Sequence, residues 1–418
     1  MKDQIKKIYS KNKSLISNFS YLAILQVFNL LIPLITLPYL LTVLGTEKYG
    51  LIVFSHTIIS YFLVLINFGF DISATKDVSM NRNDKEALSE IVSSVFILKG
   101  IFFFLSFLIL AIISPFFSDI NLKYLLLFTM YLCLYEWVFP VWYFQGKEEM
   151  KYITIINLIG RVVFLTLIFF IVKNENDFLK VPLLNGLGSL IASLAALWIV
   201  FKKDGIIFKF QKTNVLKKYF IESFPIFFGN IAGKIKILSN KAILGAFVGM
   251  EILSIYDVAD KIKNLFIYFL QIIVSVLFPN VVNSKNGNLV RKTIKIIFYV
   301  SVFVFLLTSL IVYLTTKYYF NNQFEVLYIF LFLGFLIIFQ PLSYMVGVTV
   351  LLVNDLKKEY TLSLYLSVVF YILLNLCFYL FSQITVYNLS LTLSLSVLFE
   401  LIVRVIISKK NNLIKWIF

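Results

Sequence analysis

The chain has 418 residues, of which 60% are hydrophobic and only 14% charged, and its mean hydropathy is +0.91. A soluble domain needs more charge than this to cover its surface, so the composition excludes a water-soluble globular protein and makes lipid the solvent for most of the chain. The formal charge of +16 would suit nucleic acid, but the cations are scattered over short segments between apolar runs and no basic domain can hold a duplex.

From the N-terminus, the basic MKDQIKKIYSKNK leads into a full-length apolar stretch with no small-residue cleavage site. A retained first helix is therefore expected rather than a signal peptide. A hydrocarbon core of about 30 Å needs about 20 apolar helical residues. Such spans run over Asn18–Leu41, Gly50–Phe70, Ile91–Phe116, Leu122–Phe144, Tyr152–Val172 and Val181–Phe201. A second set runs over Ser223–Val248, Ile252–Val281, Ile296–Tyr313, Glu325–Val353, Tyr360–Phe381 and Val386–Ile407. The predicted fold class is an all-α integral membrane protein of about 12 transmembrane helices. The expected organisation is a six-helix bundle over 1–201, a cytoplasmic amphipathic linker over 202–222, and a second six-helix bundle over 223–418. Equal orientation of the two halves implies a pseudo-two-fold axis along the membrane normal.

Charge orients the chain. The N-terminus, the even-numbered loops and the C-terminus hold 25 Lys and Arg, and the odd-numbered loops hold 5. The positive-inside rule then places both termini in the cytoplasm. An internal repeat agrees with two halves: LGTEKYGLIVFSHTI from Leu44 recurs as VGMEILSIYDVADKI from Val248, matching Gly45 with Gly249 and Glu47 with Glu251. Pro33 and Pro38 are expected to kink or loosen the first span.

The remaining 8 cations lie within spans: Lys99, Arg161, Lys234, Lys236, Lys241, Lys261, Lys263 and Arg404. Only four carboxylates accompany them, Glu136, Asp257, Asp260 and Glu400. Charge at the bilayer centre costs about 2.5–3.5 kcal/mol per residue on insertion scales. An excess of one sign cannot be removed by internal pairing, and an anionic substrate is its simplest partner. At 1.5 Å rise per residue, Lys99, Arg161 and Glu136 fall at a common depth of roughly 12–14 Å from the cytoplasmic ends of their spans and can form one cluster. Lys234 and Lys241 are seven apart and share a helix face. Candidate substrate-binding residues are Lys99, Arg161, Lys234, Lys236, Lys241 and Lys261. Structural readings stand beside these. Glu400 and Arg404 have the i,i+4 spacing of an ion pair, Asp257–Lys261 and Asp260–Lys263 have pairing geometry, and Lys236 and Lys263 can snorkel or pair across helices. His56 has no acidic neighbour at helical spacing and reads as a packed polar residue.

Cys133 and Cys377 lie in separate apolar runs, with no second Cys or His at ligand spacing, so neither a disulfide nor a zinc site is expected. No Walker loop, paired-carboxylate site or metal cluster occurs. The reading is a transporter and not an enzyme, without metal or cofactor.

Three stretches carry a family resemblance. LPYLLTVLGTEKYGLIVFSHTIISYFLVLINFGFDISATKDVSMNRND, with Pro38, Gly45, Tyr49-Gly50, Gly69-Phe70 and Ser73-Ala74, resembles the start of O-antigen flippases of the polysaccharide-transporter group. VWYFQGKEEM from Val141 is similar to that family's Trp-x-Phe-Gln-Gly ending of the fourth helix, and SFPIFFGN with AILGAFVGMEILSIYDVADKI resembles the start of its second half. The resemblance covers about the first two-thirds of the chain. It implies the fold of the multidrug, oligosaccharidyl-lipid and polysaccharide exporters, related to MATE transporters. It implies as substrate an oligosaccharide on undecaprenyl pyrophosphate, moved to the periplasmic leaflet of the bacterial inner membrane. Coupling to H+ or Na+ is implied as well, with Glu136, Asp257 and Asp260 as candidates. Membrane lipids, an O-antigen polymerase and a chain-length regulator are the implied partners. One departure is Asn240-Lys241, where the family often carries an acidic residue.

Three alternatives fit less well. A cation-coupled multidrug exporter of the same fold would repel cationic drugs from a cationic cavity. An O-antigen polymerase typically has a long periplasmic loop, whereas the longest loops here, 71–90 and 202–222, are predicted cytoplasmic. Lipid II flippases resemble a longer chain with extra helices.

Overall fold

The computed structural model describes residues 13–284, 287–319 and 324–417. The cationic N-terminal segment 1–12 and Lys285, both used in the charge count, lie outside them. In lipid each backbone N–H and C=O must be satisfied within the protein, which selects helices for a sequence this apolar. The described residues contain helices and connecting turns and no strand.

The chain divides into two compact units, Met1–Ile231 and Ala232–Phe418. In the first, α1 (Lys13–Asn67) is followed by α2 (Phe70–Met80), α3 (Lys85–Ile113), α4 (Ile120–Thr129), α5 (Tyr131–Val138), α6 (Val141–Gly146), α7 (Met150–Ile171) and α8 (Lys180–Trp198). Here α1 packs against α4, α5 and α7, α7 against α8, and α2 against α6. The unit boundary falls inside α9 (Thr213–Ile243). Next come α10 (Met250–Ser284), α11 (Gly287–Tyr319), α12 (Glu325–Met345), α13 (Lys357–Leu380) and α14 (Val386–Lys410). In the second unit α12 is the central helix, packed against α10, α11 and α14. Its Leu333, Leu336 and Ile337 are fully buried, as expected of a helix enclosed on most sides.

Among the described residues nine helical stretches are long and apolar enough to cross a membrane, which makes this a multi-pass membrane protein. One of them, Ser20–Met80, carries the first two expected spans in a single run of 61 residues. α9 and α10, which carry the seventh and eighth expected spans, are 31 and 35 residues long but fall outside the nine. α9 is set apart by the charges of Lys234, Lys236 and Lys241, whereas the eighth expected span keeps an uncharged apolar stretch over 264–281 in the sequence beside Asp257, Asp260, Lys261 and Lys263.

Several local expectations change. α1 stays helical through Pro33 and Pro38, and its one non-helical residue is Gly45. The expected loop 71–90 is largely α2, which begins after Phe68 and Gly69 turn the chain through positive φ. The fourth expected span is interrupted at Phe139–Pro140, where the ring removes a donor and holds Phe139 extended. The segment after the π-helical turn Ile199–Lys203 is not helical at its start. The backbone N–H groups of Ile207 and Lys209 donate to the Ser89 and Ser93 hydroxyls, one turn apart on α3 (3.2 and 3.0 Å).

The internal repeat has a conformational cause. Gly45 has φ 74° and ψ 170°, and Gly249 has φ 132° and ψ 160°. Both occupy a backbone region that is essentially restricted to glycine. Each breaks the chain between the first and second expected helix of its half, two residues before Glu47 or Glu251. Gly45→Ala and Gly249→Ala should each lower stability by about 1–3 kcal/mol. Gly229→Ala, inside α9 where an added Cβ meets nothing within 4 Å, should instead raise it by about 0.5–1 kcal/mol. Thermal unfolding of the purified variants reads the difference, and equal effects at all three would contradict the backbone assignment.

Candidate functional site

In the first unit the break at Pro140 generates the site. A helical carbonyl at residue i normally receives the N–H of residue i+4, and for Glu136 that residue is Pro140, which has none. Lys99 from α3 fills the vacancy: its Nζ donates to the Glu136 carbonyl at 2.9 Å and to the Glu136 carboxylate at 2.7 Å. Asn67, at the end of α1, donates to the same carboxylate oxygen at 3.0 Å. Lys99 is 2% exposed, whereas Glu136 keeps 26% of its side chain accessible. The expected cluster of three is thus a pair with a third neighbour elsewhere. Arg161 lies on α7 within electrostatic reach of the Tyr131 and Tyr135 phenols and has no carboxylate within 4.0 Å among the described residues. Tyr135 donates to Asn157 at 2.7 Å, while the buried Tyr131 hydroxyl has no hydrogen-bond partner among the described residues. His56 packs edge-on to Tyr131.

The second unit holds most of the charge that falls within the expected spans. Lys241 on α9 reaches Asp257 at 2.7 Å and Asp260 at 2.9 Å, both one helix over on α10. The i,i+4 and i,i+3 partners on α10 close the cluster, Lys261 to Asp257 at 2.8 Å and Lys263 to Asp260 at 2.5 Å. Two carboxylates are therefore shared among three ammonium groups. Lys234, seven residues before Lys241, is exposed and has no carboxylate within 4.0 Å among the described residues. Common helix face did not mean common surroundings.

A second cluster centres on Glu400 of α14. Arg404 Nη2 lies 2.9 Å from Glu400 Oε1, the ion pair expected from the i,i+4 spacing. Lys236 from α9 approaches Oε2 at 3.3 Å. The Ser343 and Ser367 hydroxyls donate to the same carboxylate at 3.0 and 3.1 Å. Arg404 is held on every side. Its Nε donates to Ser363 at 3.0 Å, its Nη1 donates to the Ser343 carbonyl and hydroxyl at 2.5 and 3.0 Å, and its guanidinium lies over the Tyr360 ring. Gly347 makes room for this stack, since an added Cβ would stand 2.7 Å from Nη1 and 2.8 Å from the Tyr360 ring. Lys236, Lys263, Glu400 and Arg404 border one cavity of about 170 Å³.

Sequence reasoning missed two parts of this arrangement. The serines and Tyr360 supply ordinary helix positions, and nothing in their spacing marks them. Asn240 is a buried junction that donates to the Tyr256 hydroxyl at 3.1 Å and the Leu389 carbonyl at 2.8 Å and accepts from Tyr371 at 2.5 Å. Its place in a motif where acid was expected was the available signal. The WYFQG stretch is structural here. Trp142, Tyr143 and Phe144 are buried, Arg82 donates to the Gly146 carbonyl at 2.8 Å, and Tyr143 and Lys147 converge on Asp204 at 2.8 and 2.6 Å.

The chain matches the family model described as "Polysaccharide biosynthesis protein" over residues 15–285, the part that carries the three motif stretches. It is 25% identical over 359 residues to a protein of Escherichia coli (strain K12) named "Putative O-antigen transporter", covering 83% of this chain and 86% of that one. Among solved structures, the lipid II flippase MurJ in an inward closed conformation superposes with a TM-score of 0.74 at 13% identity, covering 93% of this chain and 87% of that one. An inward-facing multidrug resistance MATE family transporter of the MOP superfamily gives 0.72 at 14% identity, covering 91% and 94%. These two establish the fold alone: the all-α membrane architecture that both share.

Glu400→Gln should be strongly destabilising, by about 3–5 kcal/mol, because it leaves Lys236 and Arg404 without their shared carboxylate. Adding Lys236→Met to that variant should restore part of the loss. Thermal unfolding of the single and double variants measures the coupling, and strictly additive effects would show that Lys236 and Glu400 do not interact.

Proposed function

The chain belongs to the polysaccharide biosynthesis protein family, and from that premise we propose that it is a flippase for undecaprenyl-pyrophosphate-linked O-antigen or polysaccharide repeat units. It carries the head group from the cytoplasmic to the periplasmic leaflet of the bacterial inner membrane by alternating access. The observation that supports this most is the surplus of cations away from the span ends, eight against four carboxylates with Lys123 and Glu325 at span ends set aside. Arg161 and Lys234 are the two that have no carboxylate within 4.0 Å among the described residues.

A pyrophosphate bearing sugars cannot cross hydrocarbon unaided, since its charge and hydroxyls lose water without replacement. Arg161 offers the planar fork that engages phosphate in two parallel hydrogen bonds, and Lys234 adds a mobile point charge. Lys99, Lys236, Lys241 and Lys261 already hold carboxylates, so they serve the substrate by exchanging those partners. The polyprenyl tail stays in lipid. Of the candidates for H+ or Na+ coupling, Asp257 and Asp260 are each held by two lysines, which leaves the partly accessible Glu136 as the carboxylate we favour. Both termini face the cytoplasm by the positive-inside rule, and the polymerase and chain-length regulator take over the delivered unit.

The test is the location of lipid-linked repeat units in cells lacking the gene. Units stranded at the cytoplasmic leaflet with loss of surface polymer are expected. A lipopolysaccharide core capped by a single unit would point to a polymerase, and an unchanged profile would overturn the flippase reading. On complementation, Arg161→Ala and Lys234→Ala should each lower export about tenfold or more, as expected for losing one charge-assisted contact. Wild-type export by both would remove them from the substrate site.

A further inference from the structure

We propose that the partly open cavity of the second unit is a binding site for one small oxyanion, a phosphate or carboxylate group, held by the ammonium groups of Lys236 and Lys263. The cavity, of about 170 Å³, exceeds the share of several waters at about 30 Å³ each, so a tetrahedral phosphate fits with solvent to spare. Its charged lining is Lys236, Lys263 and Arg404 against the single carboxylate of Glu400.

Hydrogen-bond capacity decides what such a cavity accepts. Glu400 has four donors within reach, from Arg404, Ser343, Lys236 and Ser367, the last shared with the Leu364 carbonyl at 2.8 Å, against the roughly four acceptor positions of a carboxylate. No carboxylate site is left for an incoming cation. Arg404 has four of its five N–H donors engaged by Ser343, Ser363 and Glu400, so it forms fixed scaffold and offsets the charge of Glu400. The lysines differ. Each ammonium has three donors. Lys236 uses two, on Glu400 and on Ser367 at 3.0 Å, and Lys263 uses one, on Asp260. Three N–H donors on two buried ammonium groups, 7% and 2% exposed, therefore have no acceptor among the described residues. The Gln340 side chain on the same wall adds an amide.

Charge leads to the same ligand. Glu400 is shared by two cations, and Asp260 is shared by Lys263 and Lys241. The cavity wall thus keeps a positive surplus on buried side chains, which an anion offsets. Lys236 approaches Glu400 at 3.3 Å, longer than the 2.7–2.9 Å of a tight charge-assisted bond, so it is the partner readiest to turn toward a guest. The site goes beyond the transport reading: it requires an oxyanion but no lipid-linked saccharide.

The experiment uses the full chain in nanodiscs of zwitterionic lipid, with radiolabelled inorganic phosphate as the probe in equilibrium dialysis. One saturable phosphate per chain is expected. Lys263→Met or Lys236→Met should weaken binding about tenfold or more, and the double variant should abolish it. Lys236→Arg, which keeps the charge, should stay within a few fold, and Lys217→Gln on the exposed part of α9 should bind as wild type. Absence of saturable binding to the wild-type chain would overturn the proposal without reference to any variant. Binding that survives in a folded double variant would overturn it as well. Competition by a short-chain polyprenyl pyrophosphate identifies the substrate head group as the natural occupant, and its failure to compete identifies free phosphate; either result retains the site. Phosphate binding by a chain that fails the export test would separate this site from the flippase reading.

Discussion

Around Glu400 four helices meet because a charge removed from water must find its partners inside the protein. The carboxylate receives Arg404 from its own helix, Lys236 from α9, Ser343 from α12 and Ser367 from α13. The last three contacts each tie one more helix to the same two oxygen atoms. Taking ions from water into a low-dielectric interior costs several kcal/mol each, and geometry of this kind is what offsets it. Apolar side chains cannot do this job in a bilayer, where lipid tails compete equally for them. The relative rotation of α9, α12, α13 and α14 therefore depends on polar contacts, with the apolar core filling around them.

The same constraint acts on the backbone of the first unit. Pro140 ends a helical stretch and leaves the Glu136 carbonyl without its donor, and Lys99 satisfies that carbonyl and the side-chain carboxylate together. A break in one helix is thereby joined to the middle of another. Gly45 and Gly249 show a further form of it: the chain changes direction between helices at two corresponding places, and at each the backbone takes a conformation that a side chain would oppose.

What makes these arrangements suited to transport is that the cations outnumber the carboxylates. Where two ammonium groups share one carboxylate, as at Asp257 and Asp260, each bond is worth less than an exclusive pair, and a competing anion can draw one cation away without stranding the acid. A fully matched set of ion pairs would bind the helices together and offer nothing to a substrate. Arg404 and Glu400 supply rigidity, whereas Arg161 and Lys234 have no carboxylate within 4.0 Å among the described residues.

The sequence alone determined that this is an all-α, multi-pass membrane protein with its intramembrane charge biased to the positive. Span length and charge are one-dimensional quantities read against a slab of known thickness. It also contained the pairs whose geometry is local, Glu400–Arg404, Asp257–Lys261 and Asp260–Lys263, because the rise and turn of a helix set those distances. Only the tertiary structure decided that Lys99 meets Glu136 while Arg161 does not, that Lys241 is enclosed by two aspartates while Lys234 on the same face is exposed, and that Asn240 and three serines complete the polar interior. Helices in lipid are apolar on nearly every side, so hydrophobic periodicity does not say which face turns inward. Contacts between helices depend on that rotation, and on breaks such as Pro140 that reset the register of the next helical segment.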